Sequence, residues 1–171
     1  MDLDKLNRYA GKSEFVEDVR KRTFDTEMKC HGCAQVIVQS FLDIFEEDNT
    51  ALSMASSPFA AGMALTGNNC GALIGGLMTL GLVFGRKDVN EGMAGILAGI
   101  RPMRKLVKYF EETYRNVNCR DITQSDLANP KEATAYFEAG GLEKCAGMMA
   151  DVAGFVGEII YEEKEKRSEE S

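Results

Sequence analysis

Five cysteines are the residues of this 171-residue chain whose type and spacing could do chemistry. Cys70 opens the uncharged, glycine-rich segment 70–75, and Cys33, Cys119 and Cys145 occupy comparable places elsewhere in the chain. Thiolates bind zinc and iron–sulfur clusters, and they also attack disulfides. Cysteines that are far apart in sequence but near expected helix ends predict a shared sulfur site.

Three of these cysteines stand where a helix is expected to begin. Cys33, Cys70 and Cys145 each follow a glycine or an asparagine within a few residues. A helix N-terminus presents unpaired N–H groups and positive partial charge, which both favour a thiolate over a thiol. Glycine at positions 71 and 75 lets another backbone or a bulky inorganic group approach closely. We therefore expect Gly71 and Gly75 to belong to the same site.

The spacing of the cysteines is a weaker signal than their placement. The separations of 37, 49 and 26 residues match neither paired zinc knuckles nor a ferredoxin motif. Unpaired cysteine is also one of the most buried residue types, and glycines four residues apart often mark close helix packing. The residues alone leave ordinary core packing open as an explanation.

The same cysteines carry a resemblance to a known family. The matching pieces are Cys33-Ala34-Gln35, the runs 67–75 and 80–85, Cys119 with Arg120 and Asp121, and Cys145. Over about residues 28–160 the chain resembles the C_GCAxxG_C_C family of redox-active proteins, which is related to a domain of the split-Soret cytochromes. The resemblance implies an α-helical redox domain whose iron–sulfur ligands are Cys33, Cys70, Cys119 and Cys145. It implies no haem, because the chain has no Cys-x-x-Cys-His motif.

The chain departs from the family pattern at Cys30-His31-Gly32-Cys33. The extra Cys30 creates a Cys-x-x-Cys pair, which is typical of thioredoxin-like dithiols and lowers a thiol pKa there, but the βαβ surroundings are missing. Cys30 is alternatively a substitute or fifth ligand, or a simply exposed residue. His31, the one histidine of the chain, is a second candidate ligand, although a surface role is more common.

Charge and polarity limit the partners and the compartment. The net charge of −7, with no basic tract, argues against nucleic acid and anionic membrane surfaces. The polar segment 1–15 does not look like a secretory signal, so we expect a cytoplasmic protein whose cysteines serve metal or redox chemistry. The segment 71–85 is uncharged but shorter than the roughly 20 residues of a membrane span, so we expect a buried helix.

Helical periodicity is the only strong pattern in the chain, and it predicts the elements that must position the cysteines. Helices are expected over about 13–22, 33–45, 49–58, 70–84, 90–116, 131–138 and 142–160. Pro102 should kink or divide the fifth of these, residues 59–69 should form a close-fitting loop, and residues 120–130 should be rich in turns. We predict a compact all-α bundle of about six to seven helices.

The predicted organisation is a charged N-terminal helical segment over 1–29, a four-cysteine redox domain over 30–161 and a charged, frayed tail over 162–171. The predicted function is electron transfer through a [2Fe–2S] cluster held by the four cysteines, with a redox partner that the sequence does not identify. The alternatives are a dithiol–disulfide oxidoreductase using Cys30 and Cys33, a structural zinc site, or a helical interaction module. We also expect a homodimer, because the apolar faces of 71–85 and 93–114 exceed what one small bundle needs.

Overall fold

Helices provide the regular structure of residues 1–170, which the computed structural model describes. The α-helices are α1 (Lys12–Cys30), α2 (Cys33–Phe45), α3 (Thr50–Ser56), α4 (Gly71–Phe84), α5 (Gly92–Tyr114), α6 (Cys119–Thr123), α7 (Pro130–Glu138) and α8 (Gly141–Glu169). Short 3-10 helices cover Leu3–Arg8, Ser57–Phe59 and Val89–Glu91. In the described part of the chain, β-structure is limited to one isolated bridge between Asn69 and Asn118. The predicted all-α class is confirmed.

The core forms where α8, the longest helix, packs along α1 and also contacts α4 and α5. Its largest fully buried side chains are Leu6, Phe15, Ile37, Phe41, Leu42, Ile44, Phe45, Leu80, Leu106, Phe110, Met149 and Ile160. The buried residues of α1 recur every fourth position as Phe15, Val19, Thr23 and Glu27. This stripe begins in the aromatic core and ends at a carboxylate beside the start of α2.

Helix α4 lies against α2 at glycine positions. A Cβ atom at Gly75 would lie 2.7 Å from the carbonyl oxygen of Ala34, and one at Gly71 would lie 2.6 Å from the Cβ of Cys33. Real Cβ atoms essentially never approach other atoms so closely. The close approach of another backbone, which was expected at these glycines, is therefore made by the start of α2. By contrast, a Cβ at Gly81 would have no neighbour within 4 Å.

The prediction of a buried helix over 71–85 is confirmed, because α4 packs against α2, α5 and α8. Among the helices of residues 1–170, none has both the length and the apolar character needed to cross a membrane.

Several helix limits differ from the sequence prediction. Helix α1 continues to Cys30 instead of ending near residue 22, because the last two residues of its buried stripe, Thr23 and Glu27, are polar and hide the periodicity. Pro102 does not divide α5, which is continuous around it. Pro102 has no N–H to donate to the carbonyl of Ala98, four residues earlier. Because Ala98 is exposed, water can reach that carbonyl, and the helix continues.

In the C-terminal half, one helix was missed and another is longer than predicted. Residues Cys119–Thr123 form α6 where only turns were expected, a helix too short for a periodic signal. Helix α8 does not stop near residue 161 but continues to Glu169, and an ion pair of 2.8 Å between Arg167 and Glu163 supports its last turns. The rest of the predicted frayed tail, Ser171, lies outside the described residues.

Candidate cysteine site

All four cysteines of the predicted ligand set line one cavity of about 160 Å³. Cys33 is the first residue of α2, Cys70 directly precedes α4, Cys119 is the first residue of α6, and Cys145 lies in the second turn of α8. The other lining residues are Glu27, His31, Gly32, Ala60, Ala61, Ala72, Ile122, Thr123, Leu127, Phe137, Leu142, Met148 and Met149. The structure thus brings together four thiols from positions at or near the starts of four helices, in a mainly apolar surrounding.

Cys30 is placed differently from the other four. It is the last residue of α1, it is exposed, and it does not line the cavity. His31, the next residue, does line it, with Nδ1 2.9 Å from the carbonyl oxygen of Glu27. Within the Cys-x-x-Cys pair, the thiol of Cys30 is therefore in solvent, whereas that of Cys33 lies on the cavity wall.

Backbone pairing places Cys70 beside Cys119. The amide of Cys70 donates to the carbonyl of Val117 over 2.7 Å, and the amide of Cys119 donates to the carbonyl of Asn68, also over 2.7 Å. These bonds flank the isolated bridge described above, so the segments before α4 and α6 run antiparallel for a few residues. Because side chains next to such a bridge have fixed directions, this pairing fixes two cavity walls relative to each other.

Gly71 allows a third thiol, that of Cys33, to lie near the pair formed by Cys70 and Cys119. Because Gly71 lacks a Cβ, the start of α2 can lie directly against the start of α4, and Cys33 comes close to Cys70. Gly71 and Gly75 themselves do not line the cavity. Their contribution in this structure is to set the distance between the two helices, and direct contact with a cofactor stays a prediction.

Glu27 is a cavity residue that the sequence analysis missed. Its carboxylate accepts a hydrogen bond of 2.9 Å from the amide of Gly32 and so holds the turn that leads into Cys33. Burial raises the pKa of Glu27, and the bond from Gly32 offsets part of that effect. The signal that could have revealed it is the four-residue spacing from Phe15, which continues through Val19 and Thr23.

Burial dominates the electrostatics of the four thiols. It raises the pKa of Cys33 to about 12 and that of Cys119 to about 11, and it also raises the pKa of Cys70 and Cys145. Negative charge on a neighbouring cysteine, when that cysteine is ionised, raises the pKa of Cys33, Cys70 and Cys119 further.

Helix starts were expected to favour thiolates, and without a bound cation burial has the larger effect on these pKa values. The backbone of Ala61 lowers the pKa of Cys33 and the backbone of Ala72 lowers that of Cys70, but the desolvation of both sulfurs outweighs these contributions. At neutral pH these groups are thiols. A metal cation changes this, because a coordinating thiol gives up its proton.

The four side chains fit a sulfur-bound metal centre by donor type and number and by their shared cavity. Their positions do not form a preset metal cage: residues 1–170 contain no group of three or more His, Cys, Asp or Glu side chains that could hold a metal ion. The geometry thus shows a cavity with four sulfur atoms in its walls.

Thiol reactivity should distinguish the exposed Cys30 from the four cavity cysteines. After metal is removed with a chelator and reductant, brief treatment with iodoacetamide at pH 8 should modify Cys30 alone. With pKa values near 11 and 12, only about one part in a thousand or less of Cys119 and Cys33 is thiolate at that pH. Peptide mass spectrometry would locate the label, and the unfolded chain, in which all five cysteines should react, is the control. Early labelling of Cys70 would contradict its burial.

The fold and the cavity define a class of protein: an all-α domain that gathers four sequence-distant cysteines at one cavity. A family model described as "Putative redox-active protein (C_GCAxxG_C_C)" matches residues 31–159, about three quarters of the chain. The chain therefore belongs to this redox-active family, and the resemblance noted from its motifs is confirmed. The matched range contains the four cavity cysteines and begins just after Cys30. No curated protein and no solved structure matches the chain.

Proposed function

We propose that this redox-active protein carries electrons through a [2Fe–2S] cluster held by Cys33, Cys70, Cys119 and Cys145. The observation that carries the proposal is the cavity itself, in which four thiols at or near the starts of four helices share one mainly apolar space. Ordinary core packing does not require that four cysteines so distant in sequence meet. Membership of a redox-active family supports the same role.

The donor set supports electron transfer better than substrate chemistry. Four cysteine thiolates complete the protein coordination of a [2Fe–2S] cluster, which supplies one-electron chemistry when bound and leaves no open position for a substrate. The chain provides the four sulfur ligands, an apolar surrounding that limits water, and backbone groups of Ala61 and Ala72 near two of the sulfurs. Each cysteine must release a proton on binding, so loading should weaken as the pH falls.

Anaerobic purification followed by metal analysis tests the proposal. We expect a brown protein with iron and acid-labile sulfide in equal amounts, two of each per chain. Chemical reduction should bleach the visible absorbance, and reoxidation should restore it. A colourless protein with one zinc per chain would instead support the structural zinc site, and a colourless, metal-free protein would overturn the cluster.

The dithiol–disulfide alternative has one observation in its favour, the exposed thiol of Cys30 three residues before Cys33. It is the weaker hypothesis, because burial raises the pKa of Cys33 and so suppresses the thiolate that disulfide exchange needs. If the purified protein is colourless and free of metal, mild oxidation tests the oxidoreductase role. A reversible disulfide joining Cys30 to Cys33 in peptide mapping would support the oxidoreductase.

We propose the cytoplasm as the compartment, since all five cysteines are free thiols and a reducing environment keeps them so. The negative charge of the chain supports a redox partner that is a protein with a basic docking surface, not a nucleic acid.

We also propose that the protein is a homodimer. The first half of α5 and the turn before it leave apolar side chains in solvent, with 74% of Val89, 66% of Met93 and 61% of Leu97 exposed. A second copy would cover this face in a symmetric contact. Sedimentation at micromolar concentration should give twice the mass of one chain, and Leu97→Glu should shift it to the mass of one. A wild-type species of single-chain mass that does not change on concentrating would contradict the dimer.

A further inference from the structure

The hydroxyl of Tyr136 lies against one of the four cavity cysteines. Its oxygen is 3.4 Å from Sγ of Cys145, and the pair joins α7 to α8 across the turn between them. Either atom can be the donor while Cys145 is a thiol. A thiolate has no proton to give, so in any ionised or metal-bound state of Cys145 the tyrosine must be the donor.

The fold holds this ring in place. A Cβ at Gly141, the first residue of α8, would overlap the ring of Tyr136, so the ring rests directly on the helix backbone there. The ring of Phe137 packs edge-on against it with centroids 5.6 Å apart. A phenol has an ordinary pKa of about 10, so it carries its proton at physiological pH. The donor is therefore fixed in position and has a proton to donate at physiological pH.

We infer that Tyr136 is a positioning residue for the redox centre: its hydroxyl donates to Sγ of Cys145, fixes that side chain and stabilises negative charge on it. The inference rests on the proposed function, in which Cys145 is a thiolate ligand. Reduction adds one electron and thus negative charge, so a hydrogen bond to a ligand sulfur favours the reduced state. The proton stays on Tyr136 throughout.

The test compares Tyr136→Phe, which removes only the hydroxyl, with Tyr109→Phe, whose ring stacks on Phe155 and does not line the cavity. In an anaerobic redox titration, Tyr136→Phe should become harder to reduce. At the wild-type midpoint its ratio of reduced to oxidised protein should fall by about tenfold, as expected for a lost hydrogen bond to a charged group. Tyr109→Phe should titrate like the wild type.

The second readout needs no metal. In the reduced, metal-free chain, the S–H stretching band of Cys145 in Raman spectra, assigned by its loss in Cys145→Ser, should shift in Tyr136→Phe. An unchanged midpoint in Tyr136→Phe, or one shifted the other way, overturns the inference, whereas loss of iron from this variant alone supports it. If the wild type binds no iron, the proposed function fails, and the Raman band decides whether the hydrogen bond exists.

Discussion

Replacing Cys70 by serine is expected to abolish cluster binding, with iron and sulfide per chain falling by about tenfold or more, since second-shell changes alone cost 10–100-fold. Cys70 is 4% exposed and stands where the starts of α2, α4 and α6 meet. Serine keeps the shape but replaces a soft sulfur ligand with a hydroxyl that rarely ionises. Iron and sulfide analysis of anaerobically purified protein measures the effect.

The matched control is Cys30→Ser, in which an exposed thiol outside the cavity is changed in the same way. This variant should keep its iron, and both variants should give the far-ultraviolet circular dichroism of the wild type. Equal loss of iron from both would make Cys30 a ligand. Retention of iron in both would remove Cys70 from the site.

The second large effect is expected from Gly75→Ala in α4. The new Cβ would lie 2.7 Å from the carbonyl oxygen and 2.8 Å from the Cα of Ala34, and neither backbone atom can move without shifting α2. Overpacking of this kind should destabilise the fold by about 3 kcal/mol, although alanine is the better helix former. For a chain of this size, that corresponds to a melting temperature lower by about 10 °C.

Gly81→Ala in the same helix is the control for this experiment. No atom lies within 4 Å of the position that its Cβ would take, so the substitution should stabilise the protein by roughly 0.5–1 kcal/mol through helix propensity alone. Thermal unfolding followed by circular dichroism would compare the two variants. A Gly75→Ala protein as stable as Gly81→Ala would show that α2 and α4 are farther apart than the structure has them.

The sequence was most informative where apolar residues dominate. The limits of α2 were predicted to the residue and those of α4 to within one, because a wide apolar stripe and an uncharged run are both strong local signals. The full length of α1 was missed because Thr23 and Glu27 occupy buried positions that normally hold apolar residues. Continuity through Pro102 could not be predicted either, since it depends on solvent access to the facing carbonyl.

The cysteine site was also predicted only in part from the sequence. Motif resemblance could select Cys33, Cys70, Cys119 and Cys145, but their meeting at one cavity depends on pairing between the segments before α4 and α6, about fifty residues apart in sequence. No local pattern encodes such a contact. Glu27 and Tyr136 were missed for the same reason, because each gains its role only through a tertiary neighbour.

The placement of Cys145 in the last helix has a consequence for the order of events during protein synthesis. A ribosome makes the chain from its N-terminus to its C-terminus, so Cys33, Cys70 and Cys119 emerge before the helix that supplies the fourth sulfur. Helix α8 also packs along α1, the first α-helix, so the fold around the cavity is incomplete until α8 has been made. Completion of this site must therefore wait for α8, and a chain interrupted before residue 145 would lack the fourth sulfur of the cavity.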